Sequence, residues 1–297
     1  MTFEQKPLSS TQVTAPPLGR VSIIVPANNE ELVIGRCLNA LTRGALVGEL
    51  EIVVVCNGCS DQTAAVARAA CPGATIVDLP IASKTAALNA GDRVATRFPR
   101  LYVDADIEMS IDAVRAVARA LNAGPFMCVA PAPRFELAHR PWPIRQFYDV
   151  WQQLPYLNDE VVGTGVYALS ATGHTRFREF PNLTADDQFV LQQFARNERH
   201  TLRDQHFSVH PPLALGGLIK IRARAYRGNA ELARSGFARY PCAPSPARTL
   251  RALVRDPRNV PRVATYIGVN LAAKVRARAA RRRPQWERDT TARLAAR

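Results

Sequence analysis

No apolar run in this sequence approaches the roughly 18 residues that a helix needs to span a bilayer. The best candidate, VATYIGVNLAA at 263–273, is too short and is flanked by basic residues. Cysteine is sparse: six are scattered at 37, 56, 59, 71, 128 and 242, and only Cys56 and Cys59 have Cys-x-x-Cys spacing. With no second pair, a four-thiolate zinc site is excluded. Of five histidines, only His206 and His210 lie close together, in HFSVHPP, which reads as a strand rather than a zinc-binding helix. Lysine is scarce too, four against 35 arginines. No zinc-finger spacing or aromatic-interleaved basic motif is present, so a specific nucleic-acid module is not indicated and no nucleic-acid partner is expected. The start, MTFEQKPLSSTQVTAPPLGR, has no apolar core of signal-peptide length. Residues 1–19 therefore read as a loose tail on a cytosolic protein.

What is present is a 47% hydrophobic chain of 297 residues, enough for one large packed domain or two small ones. Its net charge of +14 is unevenly placed. Residues 1–195 hold 16 basic and 19 acidic side chains, whereas residues 196–297 hold 23 basic and 6 acidic. A cationic end of this kind attracts an anionic partner, of which acidic lipid headgroups are one class.

Apolar runs and amphipathic stretches alternate along the first half. VSIIVP (21–26), EIVVVC (51–56), ATIVDLP (74–80) and PRLYVDADIEM (99–109) read as strands. NNEELVIGRCLNAL, DQTAAVARAA, SKTAALNAGDRVATRF and a segment at about 111–122 read as the helices between and after them. Such alternation predicts an α/β fold with a mostly parallel central sheet covered by helices on both faces. Later come FMCVAPA, a Pro- and aromatic-rich stretch at 139–157, a Gly-broken strand VVGTGVYALS, a helix TADDQFVLQQFARN and a strand HTLRDQHFSVH. From about 216 the chain reads as helical and Arg-rich, broken by Pro241, Pro244, Pro246, Pro257 and Pro261. Ligands bind at the carboxyl ends of strands in such sheets, which puts NNE, CNGCSD, SK and DAD on one rim.

On that rim Asp104-Ala105-Asp106 ends an apolar strand. Two carboxylates one residue apart can gather a hard divalent cation, Mn²⁺ or Mg²⁺, together with a diphosphate. Lys84 follows the third strand, and Asp186-Asp187 opens a helix, where Thr184 and Asp187 also have the spacing of a capping box.

VSIIVPANNE, EIVVVCNGCSDQT, SKTAALNAG, YVDAD and ADDQFV, in this order, resemble the inverting glycosyltransferases of family 2 over residues 20–210. The resemblance implies a GT-A fold and a nucleotide-diphosphate sugar donor, UDP-linked in the first instance. It implies that Pro26, Asn28 and Glu30 touch the nucleoside and that Asn57 faces the base. Lys84, Asp104 and Ala105 then lie beside the nucleotide, and Asp106 with Asp104 holds the metal. His210 is a candidate third ligand, and Arg224 and Arg227 are candidates to close over the diphosphate. Asp187, with Asp186 as second choice, becomes the base that deprotonates the acceptor hydroxyl. The chain departs from the family where VYALS follows Gly165 without the usual arginine, and where Asn57 replaces an aspartate.

Rival readings are a retaining transferase, an anionic-membrane or nucleic-acid binder on a degenerate transferase scaffold, and a thiol oxidoreductase using Cys56 and Cys59. The expected architecture is a tail (1–19), a GT-A catalytic domain (20–215) and a basic helical extension (216–297). The extension, through IGVNLAAKVRARAARRR, is expected to rest on an anionic membrane surface and so to suit a lipid-linked acceptor.

Overall fold

The computed structural model describes residues 20–154, 164–240 and 246–279. The tail at 1–19, Gly163, Pro241, Pro244 and the arginines at 281–283 lie outside them.

Eight strands form one sheet: β1 (Val21–Ala27), β2 (Leu50–Asn57), β3 (Thr75–Leu79), β4 (Arg100–Val103), β5 (Glu108–Met109), β6 (Cys128–Phe135), β7 (Val166–Leu169) and β8 (Arg199–Val209). Their order is β3-β2-β1-β4-β7-β6-β8-β5. β3, β2, β1 and β4 run parallel, with Ile23 opposite both Ile52 and Leu101. β7 is antiparallel to its neighbours β4 and β6, while β6 and β8 are parallel.

Burial on both faces explains the near-continuous apolar runs. Alternate β1 residues, Val21, Ile23, Val25 and Ala27, pack with α1 (Ile34–Thr42), α2 (Thr63–Ala70) and α4 (Ile111–Ala123). Ile24 faces the other way, with Val53, Tyr102 and α3 (Lys84–Val94). Ser83 caps α3 and Ser110 caps α4, each accepting a backbone N–H three residues on.

Three expectations change. The single strand at 99–109 is two: the chain turns at Asp104, whose carbonyl accepts from Ile107 N, and β5 joins β8 at the far edge. The Pro- and aromatic-rich stretch contains a helix, α5 (Trp142–Trp151), with Pro143 in its first turn, where no N–H is needed. After α6 (Ala171–His174), the helix expected across TADDQFVLQQFARN is only α7 (Asp186–Leu191). It stops because the Gln192 carbonyl is taken by the backbone N–H groups of Arg239 and Tyr240.

The basic C-terminal part is helical: α8 (Leu215–Ser235), α9 (Ala247–Leu253) and α10 (Val260–Ala279). It is packed onto the rest. Leu218, Val263, Tyr266 and Val269 share an apolar cluster with Ile144, Phe147 and Tyr148 of α5. The rings of Phe147 and Tyr266 stack at 5.2 Å.

Candidate active site

The rim is built from two stitched loops. After β1, the Asn28 amide donates to the carbonyls of Asn57 and Gly58, and Asn29 Oδ1 accepts from Ser60 N at 2.8 Å. Glu30 N donates to Thr63 Oγ1 at 2.7 Å, and Asp61 accepts from both Thr63 and Glu31 N. Pro26, Asn28, Glu30 and Asn57 are buried at this seam. Asn57 turns its Nδ2 inward to the Ala27 carbonyl, 2.9 Å away, so it ties the ends of β1 and β2 together. Gly58 makes the tight turn possible: its φ is +59°, and a Cβ there would meet Ala82 N at 2.7 Å.

The same seam accounts for the cysteines. Cys56 is buried and Cys59 half-buried, and neither is bonded to another cysteine. Burial, then the neighbouring Cys59, pushes the Cys56 thiol up to about 12. A redox or nucleophilic thiol needs the opposite shift.

Four charged residues converge next to it. Lys84, the first residue of α3, places Nζ 2.7 Å from Asp104 Oδ1 and 3.2 Å from Asp186 Oδ2. Burial opposes the ammonium, but Asp104, Asp186 and Asp187 outweigh it and the net shift is upward. Asp104 is held at the strand end by its N–H on the Gly165 carbonyl at 2.8 Å. Gly165, at φ +105°, lets that backbone come close, since a Cβ would lie 3.0 Å from Ile107 Cγ1 and 3.3 Å from Asp104 Oδ2. Ala105 is buried and Asp106 exposed, as expected of an alternating turn with one carboxylate open to solvent.

Asp186 is buried, and burial raises its pKa despite Lys84. Asp187 keeps part of its surface open, yet burial and then the charge of Asp186 push it up to about 7. The capping box does not form: the residue before α7 is Ala185, and Thr184 N is instead held by Glu231 of α8. Asp187 Oδ1 instead accepts from Gln188 N at 2.7 Å within the helix's first turn. Beside Lys84 a cleft of about 540 Å³ opens between Ile81–Ala86 and Phe180–Thr184.

Two expected residues lie on α8. Arg224 is close enough for its charge to act on Asp186. One turn on, Arg227 Nη1 is buried with no hydrogen-bond partner among the described residues. His210 is turned elsewhere: its Nε2 is 2.7 Å from Glu108 Oε1, which also pairs with Arg36. Among the described residues no three His, Cys, Asp or Glu side chains gather as a ready metal cage, so His210 is not drawn into one set with Asp104 and Asp106.

Tyr167 is a residue with no sequence signal. It is 4% exposed, its ring stacks on Tyr102 at 4.9 Å, and its hydroxyl has no partner among the described residues. Burial, then the charge of Asp186, raises its pKa well above the ordinary phenol range. An aromatic in a buried strand looks like core, and only the structure puts it under the carboxylates.

A mixed α/β sheet whose carboxyl rim gathers acidic and basic side chains beside an open cleft is the frame of a GT-A glycosyltransferase. The chain belongs to glycosyl transferase family 2, whose sequence model matches residues 22–180. It is a nucleotide-sugar glycosyltransferase. It is similar in fold to a mannosyltransferase from Pyrobaculum calidifontis solved with GDP-Man and Mn²⁺, at 22% identity and a TM-score of 0.61, covering 93% of this chain and 78% of that one. It is also similar to glucosyl-3-phosphoglycerate synthase from Mycobacterium tuberculosis solved with Mn²⁺, UDP and glucosyl-3-phosphoglycerate, at 20% identity and a TM-score of 0.55, covering 82% of this chain and 88% of that one. No curated protein sequence matches the chain. No helix among the described residues is long and apolar enough to cross a membrane.

Proposed function

We propose that this protein transfers a hexosyl group from a nucleotide-diphosphate sugar, a UDP-sugar in the first instance, to an acceptor hydroxyl with inversion at the anomeric carbon. The observation that carries the reading is the convergence of Asp104, Asp186 and Asp187 on Lys84, with Asp187 alone of the acidic pair reaching solvent. Asp187 takes the acceptor's proton as its oxygen bonds to the anomeric carbon. The bond from that carbon to the diphosphate breaks, and its electron pair leaves with the diphosphate. A base titrating near 7 is suited to this work at neutral pH.

Asp104 and Asp106 fit a divalent ion: both are hard oxygen donors at a strand end, and Asp104 already draws a cation, the Lys84 ammonium, to 2.7 Å. Mn²⁺ or Mg²⁺ bound there would supply positive charge against the leaving diphosphate. Lys84 and Arg227 Nη1, which has no hydrogen-bond partner among the described residues, offer further donors to phosphate oxygens, with Arg224 alongside. The cationic C-terminal part, 23 basic against 6 acidic side chains over residues 196–297, supports a position at the inner face of a membrane, which would suit a lipid-linked acceptor.

The test is a panel of UDP-, GDP- and dTDP-sugars with Mn²⁺ or Mg²⁺, read by thermal shift and product formation. Guanine belongs in it because the Pyrobaculum enzyme was solved with GDP-Man. A protein that binds none of them would overturn the reading. Asp106→Asn is expected to weaken metal and donor binding together.

A further inference from the structure

Along the outer side of α10, Val260, Ile267, Leu271 and Val275 are exposed by 47, 51, 61 and 59%. With the exposed Ala264 between them, their spacing of three and four residues puts them on one helix face. The opposite face, through Val263, Tyr266, Val269 and Ala273, is buried against α5 and α8. A stripe of large aliphatic residues does not face water by the demands of packing, because the helix already has a complete inner face.

The charge around the stripe identifies what covers it. Residues 246–279 hold eight Lys or Arg and a single acid, Asp256. Lys274 and Arg278 are exposed on α10 itself. Leu250 and Leu253 turn α9 inward onto the apolar cluster, leaving Arg248, Arg251 and Arg255 outward. These three line a shallow hollow of about 540 Å³ with Ala247 and Ala252. Aliphatic side chains flanked by cations, on a helix lying flat on the protein, match an interface of acyl chains beneath anionic headgroups. A second copy of the chain would bring two cationic faces together. Nucleic acid would leave the aliphatic stripe unused, and the stripe carries no aromatic ring for base stacking.

We propose that α9 and the outer face of α10 form a docking surface for an anionic lipid bilayer, the aliphatic stripe entering the headgroup boundary and the arginines pairing with lipid phosphates. This rests on the membrane-surface part of the functional reading and not on the donor chemistry.

The experiment is co-sedimentation of the full chain with phosphatidylcholine vesicles, with and without about a third phosphatidylglycerol. Wild-type protein is expected to pellet with the anionic vesicles and to remain in solution with the neutral ones. Ile267→Asn with Leu271→Asn leaves the charge unchanged, and is expected to lower the partition coefficient about tenfold. Arg248→Gln, Arg251→Gln and Arg255→Gln together are expected to lower it at least as far. Both variants change exposed residues and should keep the wild-type melting temperature and donor-sugar hydrolysis. Equal binding to both vesicle types, no binding, or an aliphatic double variant that binds like wild type would overturn the proposal. So would a wild-type dimer that this double variant splits, or RNA capture without vesicle capture. If donor turnover fails while vesicle binding follows this pattern, the transfer reading falls and the docking surface stands.

Discussion

With its carboxyl pushed up to about 7, Asp187 is half protonated near neutral pH, and this has opposite consequences for stability and for catalysis. The folded protein holds this proton more tightly than the unfolded chain does, so the group's contribution to stability falls as pH rises from about 4 through 7. Asp187→Asn is therefore expected to melt higher than wild type at pH 8, with the gap closing towards pH 4, as followed by calorimetry across pH. The same variant should lose transfer by several orders of magnitude while retaining nucleotide binding. In wild type, kcat/KM should rise with pH through about 7, because only the ionised carboxylate accepts a proton. Tyr167 invites a second test. A buried hydroxyl without a partner costs about 1–3 kcal/mol, so Tyr167→Phe should raise the melting temperature of the free protein. If a bound donor or acceptor supplies the missing partner, kcat/KM falls in the same variant; an unchanged kcat/KM would leave Tyr167 as packing only. Lys84, Asp104 and Asp106 were legible in the sequence because each follows an apolar strand, and Asp186 and Asp187 because they open an amphipathic helix. Tyr167 was not, and neither was the inward turn of Asn57, since both depend on what another strand brings alongside.

At the scale of elements, the four parallel strands and their helices could be read because both signals are local: unbroken apolar runs for strands, amphipathic spacing for helices. Where an element's limit is set from a distance, the reading fails. α7 ends early because residues 239 and 240 take the Gln192 carbonyl, nearly fifty positions away in sequence. β5 departs from β4 because its partner is β8. The turn after β2 is set locally by Gly58 and from a distance by Ala82, which sits where a Cβ would go. Gly58→Ala meets both a positive φ and a 2.7 Å approach to Ala82 N. It is expected to cost on the order of 1–3 kcal/mol in a urea melt. Because Asn28 and Asn57 are anchored to the same turn, donor KM should rise with it. A loss of stability with unchanged donor KM would show that the seam does not shape the nucleotide site.

For the molecule as a whole, the charge asymmetry suggested a catalytic domain with an appended basic extension, and the packing bears on how separable the two are. α10 buries Val263, Tyr266 and Val269 against α5. At its crossing with α8, the Asn270 Oδ1 accepts from Tyr226 Oη at 2.8 Å and from Arg222, while its Nδ2 donates to the Tyr266 carbonyl at 2.8 Å. α8 in turn touches the acidic loop, with Glu231 on Thr184 N and Gly228 against Ala185. The basic helices are thus a wall of the body that carries Asp186 and Asp187: α8 touches their loop directly, and α10 reaches it through α8. Calorimetry should accordingly show a single cooperative transition rather than two. Deleting residues 256–297 should expose Phe147 and Tyr148 and lower the melting temperature sharply, in contrast to the stripe variants on the outer face of α10. Asn270→Leu removes the acceptor shared by Tyr226 and Arg222, and is expected to cost about 1–3 kcal/mol with loss of transfer following the loss of folded protein. Two separate transitions, or a truncated chain that melts like the full one, would instead show an extension that folds independently.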